Sequence, residues 1–450
     1  MAEIKIPDAA LRHFFFVEVP VLSSFSLFVR RSLTVFLVFL VAAPMARGQD
    51  LFPLTGDPSV KALLEETLAR NPDLRAARER ASASVARIAP SGALSDPVVS
   101  LGYDKGDAWL PGDGADTGPR IGFSQELPFS GKRQLRRDVS ARESDLAQHA
   151  TAAVSLSVTY ALRKALADLL LARENIAIIK DQRHATSDIE ELTRARYSAG
   201  LGSQLDVLRA QAEVARFDQM RLHEEGLAAS AIAEVNRLRG QGEGTPVEIP
   251  GGLKDLIGRG IVVPPLETVL ARARGASPEL HAALTLVERN RLAIDLAQRN
   301  LKPDFMVSSS WAFRGSLPDR WTAEVGIILP AYRKSKQRQA IVEAEAWFRS
   351  AQAEQEGMAL KARASVEKAY ADFKAAVLEA RTIEREVLVI DSLAVESALA
   401  GFRSGQTPFI AVLDAHRVLY ADQRQHAELL FHILWHSALL DAFGMERQTS

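Results

Sequence analysis

Three side chains near the C-terminus have a spacing that could hold a metal ion. Glu428, His432 and His436 follow one another at i, i+4 and i+8, which places all three on one face of a helix. Apolar residues from Leu429 to Trp435 surround the two histidines. Such surroundings favour histidines that pack against a core, so we predict no metal site here.

A second stretch, Gly112–Asp116, resembles a calcium-binding loop because glycine and aspartate dominate it. It lacks the ligand spacing and the closing glutamate of an EF-hand, so we predict an exposed loop. No Ser/His/Asp set, phosphate-binding loop or carboxylate pair occurs in a plausible pocket context, so we predict neither an enzyme nor a cofactor. Cysteine is absent, which excludes disulfides, thiolate metal sites and cysteine nucleophiles.

The charge balance argues against nucleic acid as a partner. The 55 lysines and arginines nearly equal the 56 aspartates and glutamates in number. No basic patch with interleaved aromatic residues occurs along the chain, although nucleic-acid interfaces usually need one. The remaining evidence for function lies in the predicted helices and strands and in the order in which they repeat along the chain.

The N-terminus has the features of a secretory signal. Arg30 and Arg31 precede an apolar run at 33–43, and small residues follow it. The alternative is a membrane-spanning helix, but a span needs about 20 apolar residues and this run is shorter. We therefore predict a signal region at 1–48. Residues 1–29 are unusual for a signal and suggest a start codon assigned too far upstream. No lipid anchor is expected, because the chain has no cysteine.

The mature chain contains one unit twice. Asn71-Pro72 returns as Ser277-Pro278, and the segment that starts at Tyr197 returns at Phe402, so the copies lie about 206 residues apart. Matches of this kind along the chain indicate a duplicated supersecondary unit. The predicted organisation is repeat 1, a linker rich in glycine and proline, and repeat 2, at 49–240, 241–265 and 266–445.

Each repeat combines two short strands with two very long helices. Alternation of apolar and polar residues predicts the strands, and long helical patterns predict the helices. The predicted strands lie at about 98–104, 120–127, 305–313 and 321–329. The predicted long helices lie at about 132–198, 204–238, 333–402 and 408–443. A further helix is predicted before the strands of repeat 2, at 266–301.

The predicted strands have one apolar and one polar or small face. This is the signature of a membrane-barrel strand, although a half-buried soluble sheet gives the same alternation. The predicted lipid-facing residues are Val99, Tyr103, Phe123, Val307 and Val325, and the predicted lumen-facing residues are Ser100, Ser124, Ser308 and Glu324. Four strands are too few to close a membrane barrel, which needs about eight. Several chains must therefore share one barrel, or the sheet lies outside a membrane.

With these motifs the chain resembles the TolC-type outer-membrane efflux channels. The most specific stretches are Asn71–Ala77, Ser124–Arg133, Tyr197–Gly200, Asp206–Leu208 and Leu413–Ala415. The resemblance is strongest to the CzcC and CusC group that serves heavy-metal cation pumps, mainly because of the proline-glycine-lysine turn after the second strand. It implies an α+β membrane protein, a homotrimer in which a shared 12-stranded β-barrel stands on an α-helical barrel.

The resemblance also implies a location and partners. The trimer would sit in outer-membrane lipid, project into the periplasm, and passively conduct heavy-metal cations from an inner-membrane pump of the RND type through a periplasmic adaptor. An alternative is a channel for multidrug efflux or type I protein secretion. An alternative of another class is a soluble periplasmic coiled-coil scaffold.

The resemblance assigns two kinds of site. The adaptor would dock on the two helical-hairpin turns, formed by Ala199, Gly200 and Leu201 and by Ser404, Gly405 and Gln406. The alternative is that the glycines simply end helices in the left-handed conformation.

At the periplasmic entrance, Asp414 matches a position that forms an acidic ring in the family, although a solvated helix charge is the alternative. Asp206 matches an aspartate that relatives tie to an arginine. The position of that arginine holds Thr407 in this chain.

Overall fold

The computed structural model is a mainly helical body that carries a small sheet. It describes residues 58–105, 117–242, 244–249, 251–253, 262–315 and 318–444. The predicted signal region and the predicted loop at Gly112–Asp116 lie outside the described residues. In this described part of the chain, no helix combines the length and the apolar character that a membrane crossing requires.

Repeat 1 contains four helices and two strands among its described residues. In chain order they are α1 (Pro58–Arg70), α2 (Pro72–Ser91), β1 (Val98–Lys105), β2 (Thr117–Leu127), α3 (Lys132–Ser198) and α4 (Gln204–Arg239). With 67 residues, α3 is about 100 Å long. Helices α3 and α4 run side by side as one hairpin.

Repeat 2 follows the same order with one additional interruption. Its described elements are α5 (Leu266–Ala276), α6 (Pro278–Arg299), β3 (Asp304–Ala312), β4 (Arg320–Ile328), α7 (Gln337–Thr382), a π-helical turn (Ile383–Val387), α8 (Leu388–Ser404) and α9 (Phe409–Gly444). The prediction of one continuous helix at 333–402 is therefore wrong in two respects. The helix begins only at Gln337, and the π-helical turn separates α7 from α8.

The duplicated dipeptide Asn71-Pro72 and Ser277-Pro278 starts a helix in both repeats. Asn71 Oδ1 accepts a hydrogen bond from the Leu74 amide at 3.0 Å, and Ser277 Oγ accepts one from the Leu280 amide at 3.3 Å. Each cap precedes a proline, which lacks an N–H and suits the first helical position. This explains why the predicted helix at 266–301 is in fact two helices, α5 and α6.

The four strands form one antiparallel sheet in the order β1-β2-β3-β4. Strands β2 and β3 come from different repeats and pair along their length, from Arg120 beside Ala312 to Leu127 beside Phe305. The sheet is therefore a joint product of the two repeats. Within the described residues, β1 and β4 each pair on one side alone.

The strand register places most of the large apolar side chains on one face. Val99 pairs with Phe123, Leu101 with Ile121, and Trp311 with Trp321. This face is uncovered in the single chain: Leu101 is 80% exposed and Val325 is 73% exposed. The opposite face carries the small and polar partners, namely Ser100, Gly122, Ser124, Ser308, Ser310, Thr322 and Glu324. An ordinary soluble sheet would bury its apolar face instead.

The main hydrophobic core lies between the helices. Leu166, Leu169 and Leu170 of α3 are at most 1% exposed, and they pack in one cluster with residues of α4, α7 and α9. The inter-repeat linker contributes to this core, because Val247 and Leu253 are buried in it. The linker thus holds the two repeats together.

Candidate functional site

The candidate site is the end of the molecule at which both helical hairpins turn. Gly200 and Gly405 adopt φ angles of +75° and +78°, a conformation that favours glycine. The Leu201 amide donates to the Arg196 carbonyl at 2.8 Å, and the Gln406 amide donates to the Gly401 carbonyl at 2.9 Å. Both turns therefore end their helices with the same Schellman-type bonding. All six residues assigned to adaptor docking are exposed on these turns.

One arginine links the two turns. Arg196 Nη1 donates to the Phe402 carbonyl at 2.9 Å and to the Arg403 carbonyl at 3.4 Å, and Nη2 reaches the Leu201 carbonyl at 3.4 Å. Its guanidinium also lies 4.9 Å from the centre of the Phe402 ring. A cation at the last carbonyls of α8 is favourable, because those groups lack helical partners. Arg196 thus fixes the first turn against the second.

Sequence reasoning missed Arg196, although the duplication contained a signal. Its counterpart in repeat 2 is Gly401, so the arginine occurs in only one copy of the unit. At Gly401 a side chain would collide with the hydroxyl of Thr407, which packs against this glycine. The two turns are consequently not equivalent: the first donates hydrogen bonds and the second accepts them.

A small hydrophobic core supports the turns from behind. The rings of Phe402 and Phe409 meet edge to face with centres 6.0 Å apart. The buried members of this tip core are Ile189, Ala210, Phe402, Phe409, Val412 and Leu413. They come from α3, α4, α8 and α9, so both hairpins are packed together at the tip.

An ion pair between a buried glutamate and exposed arginines joins the hairpins above the tip core. Glu213 of α4 accepts two hydrogen bonds from Arg417 of α9, at 3.1 and 2.8 Å, and one from Arg216 at 2.6 Å. The bond from Arg417 holds the pKa of Glu213 below its ordinary value. The stabilisation is therefore present at neutral pH, and it is lost as the pH falls through the lowered pKa.

The two acidic residues assigned to the entrance both lie near the tip. Asp414 is exposed on α9, next to the buried Leu413. Asp206 lies in the first turn of α4, where it accepts a hydrogen bond from the Ser203 hydroxyl at 2.9 Å and lies 3.9 Å from Arg209. The described contacts do not join Asp206 to Asp414.

The spaced residues on the last helix behave as packing and surface groups. The rings of His432 and His436 stack with centres 6.0 Å apart, and Trp435 stacks on His436 at 5.2 Å. Burial lowers the pKa of His436, which favours a neutral ring. Glu428 accepts a hydrogen bond from Arg424 at 3.0 Å. The described residues contain no group of three or more side chains arranged to hold a metal ion.

The fold and the tip define a class of protein: duplicated helical hairpins that carry an antiparallel sheet with an exposed apolar face. The chain matches the family model described as outer membrane efflux protein over residues 63–241 and 269–437. Because this match covers most of its length, the chain belongs to that family.

Curated relatives and solved structures agree with this placement. The chain is 25% identical to the pyoverdine export outer membrane protein OpmQ of Pseudomonas putida, over 86% of each chain. It is 22% identical to the cobalt-zinc-cadmium resistance protein CzcC of Cupriavidus metallidurans, over 65% of this chain and 69% of CzcC. The structure of the outer-membrane channel OprN superimposes with a TM-score of 0.75 at 23% identity, and it covers 88% of this chain and 92% of OprN. The predicted resemblance to the TolC-type family, including CzcC, is confirmed.

Proposed function

We propose that this protein is the outer-membrane channel of a tripartite efflux system, in which it passively conducts cargo to the cell exterior. The observation that carries the proposal is the uncovered apolar face of the sheet, with Leu101 80% and Val325 73% exposed. So large an apolar surface is stable against lipid and costly in water. The family membership supports the same conclusion.

In the part of the chain that the structure describes, the outer edges of β1 and β4 have no partner strand, and this supports assembly into a homotrimer. An open sheet edge in lipid leaves backbone groups without hydrogen bonds, so a membrane sheet must close on itself. Pairing β4 of one chain with β1 of the next would close a 12-stranded barrel from three chains. The helical hairpins of the three chains would then form a tunnel in the periplasm.

The tip is the proposed docking surface for a periplasmic adaptor that bridges to an inner-membrane pump of the RND type. Its turns are exposed, and Arg196 and the tip core hold them in one fixed arrangement. A rigid surface binds more tightly than a flexible one, because less conformational entropy is lost on binding.

Arg196→Ala is expected to weaken adaptor binding by about tenfold, because the two turns would no longer be fixed to each other. The measurement is the dissociation constant of the adaptor for detergent-solubilised trimers. Arg194→Ala is the matched control, because Arg194 is exposed and pairs with Glu190 of its own helix. Wild-type affinity in Arg196→Ala trimers would show that the linked turns are not the docking surface.

The proposed entrance is tested through Asp414. In a trimer, three Asp414 carboxylates would surround a narrow pore and attract cations. In planar bilayers the channel should prefer cations, and divalent cations added on the periplasmic side should block it. Asp414→Ala should weaken this block by roughly tenfold and leave trimer assembly intact, because Asp414 is exposed and supports no core.

Two further variants distinguish the effect of the Asp414 charge from the effect of the conformation of the hairpin turn. Asp414→Glu keeps the carboxylate and should retain cation preference and block. Gly405→Pro should impair adaptor docking without changing the block, because it distorts the turn and leaves the charge in place. Unchanged block in Asp414→Ala would make the residue a solvated helix charge and place the constriction elsewhere.

Heavy-metal cations are the proposed cargo, supported by the similarity to CzcC. The similarity to OpmQ, which covers more of the chain, favours a second candidate cargo: pyoverdine or a molecule like it. Deletion of the gene separates the two. Sensitivity to cobalt, zinc or cadmium would support the first, and intracellular retention of pyoverdine with normal metal resistance would support the second.

A further inference from the structure

Two arginines line a groove at the junction between the sheet and the helices, and a third lies beside it. The groove has a volume of about 360 Å³, and its lining residues include Gly131, Arg133 and Arg137. The guanidinium of a third arginine, Arg299, lies directly over Gly131, about 3.4 Å from the position that a Cβ atom would occupy. Gly131 has a φ angle of +88°, so this position favours glycine for its backbone alone.

Among the described residues, the arginines at this groove have no carboxylate partner within ion-pair distance. Arg133 donates from Nε to the Gly92 carbonyl at 2.8 Å, a neutral acceptor. None of the ion pairs found between described residues involves Arg133, Arg137 or Arg299. The neighbouring Lys132 shows the contrast, because its ammonium is buried and lies 2.8 Å from the Asp304 carboxylate.

The groove adjoins the end of the apolar sheet face. Leu127, the last residue of β2, shares that face with Phe305 and Ile327, and the groove begins at the next residue, Pro128. In repeat 2, basic residues likewise follow the second strand. The four exposed basic residues after β4 are Arg333, Lys334, Lys336 and Arg338. Each return strand thus leads from an apolar surface directly into a cationic one.

We propose that this groove binds the phosphate of an anionic phospholipid in the membrane leaflet nearest the helices, with its acyl chains against the apolar sheet face. The proposal rests on the proposed membrane position of the sheet. Guanidinium groups bind phosphate oxygens in bidentate fashion, and basic clusters beside a membrane segment attract anionic headgroups. A phospholipid fits this surface better than a free anion, because it alone would use both the cationic groove and the apolar face.

The test uses full trimers in detergent, titrated with phosphatidylglycerol or with phosphatidylethanolamine and followed by native mass spectrometry. Wild-type trimers should retain phosphatidylglycerol preferentially. Each arginine contributes about fivefold to the affinity for an anionic headgroup, so R133Q/R137Q/R299Q should weaken phosphatidylglycerol binding by about 100-fold. Millimolar inorganic phosphate should displace little of the bound lipid.

The matched control is R75Q/R78Q/R80Q, which removes three exposed arginines of α2 at a distance from the sheet. It should bind phosphatidylglycerol like the wild type. Equal retention of both lipids, unchanged binding in the groove variant, or full displacement by phosphate would overturn the proposal. Conductance of the same samples in bilayers separates the lipid-site hypothesis from the channel hypothesis. Channels that conduct but bind both lipids equally would refute only the lipid site. Trimers that never insert into the bilayer would refute the channel.

Discussion

Val99→Arg is expected to destabilise the membrane-inserted trimer by about 2–4 kcal/mol. Val99 lies in the middle of the apolar sheet face, in the row that contains Phe123 and Ser309. An arginine in this row would face the centre of the bilayer if the sheet spans it. Val307 lies one row nearer the helices, beside Val325, so Val307→Arg should cost less.

Ser308→Arg is the control, because Ser308 lies on the opposite face beside Ser124 and Glu324. This face would line the aqueous lumen, so we expect near wild-type stability. The measurement is the denaturant concentration at which reconstituted trimers dissociate on gels. Equal tolerance of Val99→Arg and Ser308→Arg would contradict the membrane position of the sheet and favour a soluble scaffold.

Local patterns in the sequence were sufficient to predict where most of the helices and strands lie. Helix α3 has no internal proline, and it ends just before the glycines of the hairpin turn, which break the helical pattern. The strands were visible because their alternation has a period of two, and the observed register places the predicted apolar residues on one face. The helix caps at Asn71 and Ser277 were visible as a repeated dipeptide.

Features that depend on distant parts of the chain could not be read in the same way. The pairing of β2 with β3 joins residues that are almost 200 positions apart, and no local signal specifies it. The same holds for Arg196 and its bond to the Phe402 carbonyl, because the link exists only after both hairpins have packed. The π-helical turn at Ile383–Val387 lies in a stretch whose sequence predicts an ordinary α-helix.

The second large effect is expected from breaking a buried ion pair between α3 and α9. Asp441 is fully buried, and its carboxylate lies 3.2 Å from Arg163 Nη1 and 3.9 Å from Arg272 of α5. Arg163 is itself only 4% exposed. Asp441 therefore connects the last helix to helices of both repeats.

Asp441→Ala is expected to lower the free energy of unfolding by roughly 3–5 kcal/mol, because it removes this carboxylate from beside the buried Arg163 guanidinium. Denaturant titration followed by circular dichroism measures the loss. Asp145→Ala is the control, because Asp145 pairs with Arg142 at the surface and such pairs contribute at most about 1 kcal/mol. The double variant Arg163→Met/Asp441→Leu should recover most of the loss, because apolar side chains can replace a buried ion pair. If Asp441→Ala is no more destabilising than Asp145→Ala, water reaches Arg163 and the pair does not hold the last helix in place.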